Sequence, residues 1–339
     1  MKLETLLKKI REKCKENRKN SVYTTNYINY VKELKKNNVP IIVSPEHLSM
    51  LVGIDFSYMC KMAYAANKFY RHFKISKKNG KTRQIDEPLP DLKYVQHWIL
   101  INILENIEIS PYAKAYIKNK TLKDNAKFHK KQKLILTMDI KDFFPSIRIF
   151  DVYNIFKAMG YLDNVAWFLA NLCCLNKKLP QGAPTSPYLS NIRMICIDNK
   201  IAKYTFYNDI RYTRYADDMT FSGNFKPGTL IYKISKLVYS NGFQINSKKT
   251  RVAFQHTRQE VTGIVVNHHM QIPKSERKHI RQHMYYIKKY GLDSHLKFIE
   301  EHRSNYLRHL IGKINFGLFV NPKDNELREY YDFLKKFLI

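Results

Sequence analysis

Apolar residues recur at helical spacing through the first 65 residues. Leu3, Leu6, Leu7 and Ile10 fall on one face with lysines opposite, which predicts an amphipathic helix. Ser44 before Pro45 has the form of a helix start, with serine as N-cap and proline in the first turn, and another start is predicted near Asp55. The pattern changes over 70–88, where a basic hairpin is predicted around the turn-forming pair Asn79-Gly80. Helical spacing returns over 91–107, with Leu92, Val95, Ile99 and Ile103 in register. Leu134 to Met138 is a short apolar run with β-branched members and predicts a buried strand. Further on the pattern predicts a helix over 150–175, a second from about 185, and strands near 211–222, 251–254 and 261–272. From about Pro273 a helix capped by Ser275 places Ile280, Met284 and Ile287 on one face before Gly291. Lys278, Arg281, Lys288 and Lys289 crowd its remaining surface. No internal repeat or low-complexity linker interrupts the chain, so the expectation is one α+β architecture in three regions: a helical 1–65, a mixed 66–268 and a helical 269–339.

Within the predicted strands near 211–222 stand two adjacent carboxylates, Asp217 and Asp218, in the run Arg-Tyr-Ala-Asp-Asp-Met-Thr-Phe-Ser-Gly. Neighbouring side chains on a strand point to opposite faces, so paired acids suit a tight hairpin tip better than a strand interior. Such a pair repels itself unless a cation sits there, and oxygen-only ligands suit Mg²⁺. Taken without context, a doubled acid is more often a solvated loop. The context is a third acid, Asp139, where the Leu134–Met138 strand ends. Burying a lone carboxylate costs several kcal/mol unless a charge compensates it. Two ions, roughly 3.5–4 Å apart and shared with the hairpin, would do so and would suit an in-line displacement at a 3′-hydroxyl. Asp142, three residues on, is expected to be structural. Phe143 and Phe144 precede Pro145, which ends any regular strand. Phe143 is expected in the core, and Phe144 under an incoming sugar, excluding a 2′-hydroxyl.

Several blocks follow one another in order between about 70 and 267. They are Phe-Lys-Ile-Ser-Lys-Lys-Asn-Gly-Lys-Thr-Arg-Gln-Ile-Asp-Glu-Pro (73–88), Thr-Met-Asp-Ile-Lys-Asp-Phe-Phe-Pro-Ser-Ile (137–147) and Leu-Pro-Gln-Gly-Ala-Pro-Thr-Ser-Pro (179–187). Tyr-Ala-Asp-Asp, Gly-Phe-Gln-Ile-Asn-Ser-Lys-Lys-Thr (242–250) and Val-Thr-Gly (261–263) complete the set. In this order the sequence resembles a reverse transcriptase, and within that class the bacterial retron enzymes. Asn125 and His129 fit their Asn-Ala-x-x-His box, and Val261-Thr262-Gly263 their triplet. His129 is more readily a satisfied structural histidine than an acid or base. One departure is Ala115-Tyr116, where the family often has Gly-Phe.

The resemblance implies a right-hand polymerase with fingers, palm and helical thumb, and it makes Asp139, Asp217 and Asp218 the catalytic, metal-binding set. It assigns Arg83 to the incoming triphosphate, helped by Lys74 or Lys77. Gln181 and Gly182 would lie beside the nucleotide pocket, and Lys249 near the phosphates. The thumb cations Lys278, Arg281, Lys288 and Lys289 would follow the template–primer backbone. The implied activity is RNA-directed DNA synthesis with Mg²⁺ and deoxynucleoside triphosphates. The template would be a cognate structured non-coding RNA, primed from its own 2′-hydroxyl to give branched multicopy single-stranded DNA. Retron kinship further implies phage defence with an accessory effector protein. Competing readings are a group II intron-like or template-independent enzyme and a non-catalytic RNA-binding scaffold. The roughly 75 residues after Val-Thr-Gly suit a thumb better than a maturase's added domains.

Charge agrees with a polyanionic partner. Lys plus Arg number 59 against 29 acids, a formal net of +30. The surplus is distributed, with net +7 over 1–40, +11 over 61–133 and +6 over 266–339, as suits a protein that surrounds a duplex. The 24 Tyr and 19 Phe supply rings for the core and for stacking on bases. Five cysteines, an odd count with Cys173 and Cys174 adjacent, show no zinc spacing and suggest reduced thiols. With no membrane-spanning run and no signal-peptide core, the expected location is cytoplasmic.

Overall fold

The computed structural model describes residues 3–76, 80, 82–301 and 303–338. Four helices open the chain: α1 (Leu3–Glu16), α2 (Ser21–Lys36), α3 (Pro45–Val52) and α4 (Phe56–Tyr64). Their starts are local chemistry. Asn20, Ser44 and Asp55 each accept a backbone N–H through the side chain, and Pro45 fills the first turn of α3. A two-stranded ribbon follows, β1 (Tyr70–Ser76) antiparallel to β2 (Thr82–Pro88). Lys77 and Asn79 lie outside the described residues. Next come α5 (Pro90–Asn102), α6 (Leu122–Phe128) and β3 (Leu134–Asp139). Leu92, Val95, Ile99 and Ile103 are all fully buried, as their spacing predicts.

A single turn, α7 (Phe143–Ser146), precedes α8 (Ile149–Ala158) and α9 (Asp163–Cys173). One helix was expected over 150–175; the chain makes two. Gly160 at φ 99° follows the end of α8, and an L-residue cannot hold that backbone without strain. The chain continues with α10 (Ser186–Tyr207), β4 (Arg211–Tyr215), β5 (Asp218–Gly223), α11 (Pro227–Ser240) and β6 (Arg251–Phe254). The strand expected over 261–272 is instead two short pieces, β7 (Glu260–Val261) and β8 (Ile264–Val265), with an isolated bridge from Val265 to Gln271. The last helices are α12 (Lys274–Tyr290), α13 (Leu292–Phe298), α14 (Tyr306–Val320) and α15 (Asn325–Lys335). Ser275 lies inside α12 and does not cap it, because Pro273 already sets the entry.

Two compact units share these elements. The first comprises Met1–Tyr116, Ile140–Lys200 and Val238–Gln244. Within it buried polar contacts join distant segments: Gln96 donates to the Tyr70 hydroxyl and to the Leu172 carbonyl, both at 2.8 Å. Asn37 donates to the Met159 carbonyl at 2.9 Å, and Tyr161 to that of Pro40 at 3.0 Å.

The second unit comprises Ile117–Asp139, Ile201–Leu237 and Ile245–Ile339, and it holds the four-stranded antiparallel sheet in the order β4-β5-β3-β6. β3 is central and buried along nearly its whole length, which is why it reads as a continuous apolar run. The helices after Pro273 make their own core of Ile280, Met284, Ile287, Leu310, Ile314, Leu318 and Leu327. Gly317 is the closest approach there: a Cβ on it would stand 2.4 Å from Leu327 Cδ1, whereas one on Gly312 meets nothing within 4 Å. Gly317→Ala should therefore destabilise by about 1–3 kcal/mol through overpacking. Gly312→Ala, on the solvent side of the same helix, should stabilise by about 0.5–1 kcal/mol. Urea unfolding of both variants checks this, and equal shifts would reject the tight α14–α15 packing.

Candidate metal centre and its supporting shell

The three acids meet at one end of the central strands. β4 and β5 pair through Tyr215 and Asp218, so the hairpin loop is only Ala216-Asp217. Ala216 takes φ 57°, and a positive φ at the first of two loop residues is the type II′ pattern that usually takes glycine. Across the other edge of β5, Asp218 lies directly opposite Asp139. One carboxylate oxygen from each of Asp139, Asp217 and Asp218 lies within 4.8 Å of the others. Asp139 is buried, Asp217 intermediate and Asp218 exposed.

Such proximity has an electrostatic signature. Although Asp218 as a residue is open to solvent, the protein crowded around its carboxyl partly desolvates it and pushes it up to about 6; the charges of Asp217 and Asp139 add to the rise while Lys249 opposes it. Lys249 Nζ donates to Asp139 Oδ2 at 2.6 Å. Burial works against the charge on Lys249, but that hydrogen bond and the three carboxylates raise its pKa overall. The Asn246 backbone N–H fixes the Asp139 carbonyl at 2.8 Å. One ammonium against three carboxylates leaves negative charge uncompensated. Hard oxygen donors, mutual repulsion and partial solvent access fit a divalent cation.

Beneath the hairpin lies a buried polar chain. Thr213 donates to Asn125 Oδ1 at 2.6 Å, using its only hydroxyl proton. His129 Nε2, 2.7 Å from the Thr213 oxygen, must then be the protonated nitrogen. In the neutral ring Nδ1 accepts from the Ser222 hydroxyl, also at 2.7 Å. The Asn-Ala-x-x-His box thus pins α6 to β4 and β5 at side chains 2% exposed or less. Arg214 carries no assigned role in the sequence reading, yet it is fully buried and donates to the Ala216 carbonyl at 3.0 Å. A fully buried arginine is rare. Its place beside the doubled acid is the signal that could have singled it out. The Val261-Thr262-Gly263 triplet forms the β7–β8 turn, with φ 48° at Thr262 and 83° at Gly263.

The other predicted residues have distinct surroundings. In the first unit Phe143 is buried against Phe243, and Phe144 is half-buried with its ring 6.3 Å from that of Tyr116. Asp142 holds φ 46° at the start of α7, a turn position as expected. The Gln181 carbonyl accepts from Asp86 N–H at 2.9 Å, and a Cβ on Gly182 would meet the Asp86 carbonyl oxygen at 2.6 Å. The glycine therefore admits the protein's own strand β2. Arg83 is exposed on β2, opposite Ile75, while Lys74 lies opposite Gln84. Adjacent positions alternate faces, so Lys74 points away from the side that carries Arg83. Lys77, the other expected helper, lies outside the described residues.

In the second unit the expected cationic face of α12 is partly neutralised. Arg281 is bound to both Glu326 oxygens, which it holds down, with Arg277 and Tyr330, to a pKa of about 2. Lys288 sits over Tyr330 and Phe333, and Lys289 over Tyr285 and Tyr290. Lys278 is exposed.

Residues 75–282 match the family model described as "Reverse transcriptase (RNA-dependent DNA polymerase)". The chain is 30% identical over 297 residues to the Retron Ec86 reverse transcriptase of Escherichia coli, covering 86% of this chain and 89% of that one. It is 29% identical over 301 residues to the Retron Mx65 reverse transcriptase of Myxococcus xanthus, covering 82% and 68%. Over 271 residues it is 30% identical to the Retron Se72 reverse transcriptase of Salmonella heidelberg, covering 75% and 70%. Family match, long alignments and the mixed helix and sheet architecture agree: the chain belongs to the reverse transcriptases, RNA-directed DNA polymerases of right-hand fold, and resembles their bacterial retron members throughout most of its length.

Proposed function

We propose that this polymerase copies a cognate structured non-coding RNA, primes from a 2′-hydroxyl of that RNA and yields branched multicopy single-stranded DNA. The convergence of Asp139, Asp217 and Asp218 within 4.8 Å supports the chemistry, and similarity to retron enzymes supports the substrate. Phage defence with an accessory effector, in the cytoplasm where its five free thiols stay reduced, completes the reading. Residues 1–65, 66–268 and 269–339 would act as N-terminal region, fingers with palm, and thumb.

Asp139, Asp217 and Asp218 would hold two Mg²⁺ ions, which when bound supply Lewis acidity to the attacking 3′-hydroxyl and the leaving pyrophosphate. The chain's own residues do the rest. Arg214 and Asn246 fix the backbone that aims the carboxylates. Lys249, which pairs with Asp139, offers a cation to phosphate oxygens, and Arg83 grips the triphosphate. Gln181 and Gly182 border the nucleotide, and Phe144 lies under its sugar. Lys278, Lys288 and Lys289 follow the duplex backbone; Arg281 acts there only through its pairing with Glu326.

Four outcomes test this. A carboxyl whose folded pKa lies above its unfolded value favours folding while protonated, so the Asp218 contribution is complete below about pH 4. It is lost as pH rises through about 6. Cation binding needs the ionised form, so Mg²⁺ should raise Tm more at about pH 7.5 than at about pH 5. Asp218→Asn should raise the Tm of the EDTA-treated protein at the higher pH while abolishing nucleotide incorporation; wild-type synthesis by this variant rejects the metal assignment. Phe144→Ala should raise ribonucleotide incorporation by about tenfold relative to deoxyribonucleotide, and unchanged sugar selection removes Phe144 from that role. Nucleic acid purified with the chain should contain an RNA–DNA branch that resists ordinary phosphodiesterase and yields to debranching enzyme. A linear product would overturn the 2′-priming reading and leave the polymerase intact.

A further inference from the structure

A cleft of about 710 Å³ opens within the first unit between α1, α2 and the segments at Val43 and Leu162. That volume is within the range of small-ligand sites. Its floor is rigid, because Leu7, Ile28 and Val31 form a buried cluster on which Ile10 and Tyr27 pack. Tyr30 is also fixed, its hydroxyl donating to the Ile42 carbonyl.

The walls are only partly used by the fold, since Tyr27 packs one side on that cluster. Tyr23 and Tyr27, four residues apart on α2, present nearly parallel rings with centroids 6.3 Å apart and planes 6° apart. Tyr23 is 48% exposed. Among the described residues neither hydroxyl has a hydrogen-bond partner, nor does the side-chain amide of Asn26. Lys9, Lys13 and Lys19 line the same cleft, are exposed and make no ion pair among the described residues. Lys19 lies over the Tyr23 ring at 5.4 Å. Aromatic faces between unneutralised lysines, in a stretch of net +7 over residues 1–40, complement an unpaired polynucleotide. Bases stack on the rings and phosphates meet the ammonium groups. Free hydroxyl and amide groups beside them suit a 2′-hydroxyl.

We propose that this cleft binds an unpaired segment of RNA, with a base against Tyr23 and Tyr27 and phosphates on Lys9, Lys13 and Lys19. The inference rests on the reading of the chain as an RNA-templated polymerase. It gives the N-terminal helices a holding function: to retain the RNA while another part of it is copied.

The test uses the full chain and an unstructured 12-nucleotide oligouridine carrying 4-thiouridine, with the matching thymidine oligomer carrying 4-thiothymidine. Photo-cross-linking should place the RNA on the tryptic peptide spanning 20–32, which holds both rings. Tyr23→Ala with Tyr27→Leu, a pair that keeps bulk on the packed side, should reduce that cross-link about tenfold. Extension of oligo(dT) on poly(rA) should be unchanged. Lys9, Lys13 and Lys19→Gln should flatten the salt dependence of oligouridine binding by about 2 in log–log slope. Cross-links confined to other peptides, or undiminished in the tyrosine variant, overturn the site; equal labelling by the DNA oligomer overturns its assignment to RNA. Failure of the wild-type chain to extend oligo(dT) would instead count against the polymerase reading, because the cross-link needs no synthesis.

Discussion

Three carboxylates held against their own repulsion set the terms for the surrounding fold. Asp139 and Asp218 face each other across the β3–β5 ladder, and Asp217 is next along the chain. Like charges directly opposite in a sheet are destabilising. At an effective dielectric near 20, two full charges this close repel by roughly 3–4 kcal/mol before solvent screening. The raised pKa of Asp218 expresses that repulsion together with burial. A flexible loop would relax by swinging one acid away; this one is short and tied on both sides.

The ties explain why so much polar chemistry is buried around a small sheet. β3 carries Asp139, itself buried, on a strand covered along nearly its whole length, so its carboxylate has little freedom to turn to water. Arg214 holds the Ala216 carbonyl in a backbone conformation that alanine adopts at a cost of about 1–3 kcal/mol. On the next layer the Asn125–Thr213–His129–Ser222 chain is joined by one consistent set of proton positions, with only the Asn125 amide nitrogen left without a partner among these side chains. Such networks specify a single arrangement because any shift leaves a buried donor or acceptor unpaired. The acidic centre is therefore prearranged before cations or nucleotide arrive.

Positive charge is less uniform in use than in count. On α12 part of it is committed internally, with Arg277 and Arg281 both on Glu326. On α1 and at Lys19, by contrast, the lysines of the cleft are not paired with acids among the described residues. Net charge alone would rank these two surfaces alike. What separates them is whether an acid from another helix reaches the cation.

Features set by neighbours in the chain were legible in the sequence. Ser44 and Asp55 cap helices because their side chains reach N–H groups three residues on, and Leu92, Val95, Ile99 and Ile103 share a face because helical pitch puts them there. The doubled acid demanded a hairpin tip, and the order of the blocks tied Asp139 to it. Tertiary structure decided what depends on partners far away in sequence. It set Lys74 and Arg83 on opposite faces through strand register, gave Arg281 to Glu326 45 residues later, filled the space beside Gly182 with Asp86, and buried Arg214 under the turn. Caps, pitch and turns are short-range forces written in local residues. Register, pairing and burial are settled only when separate segments compete for the same space and charge.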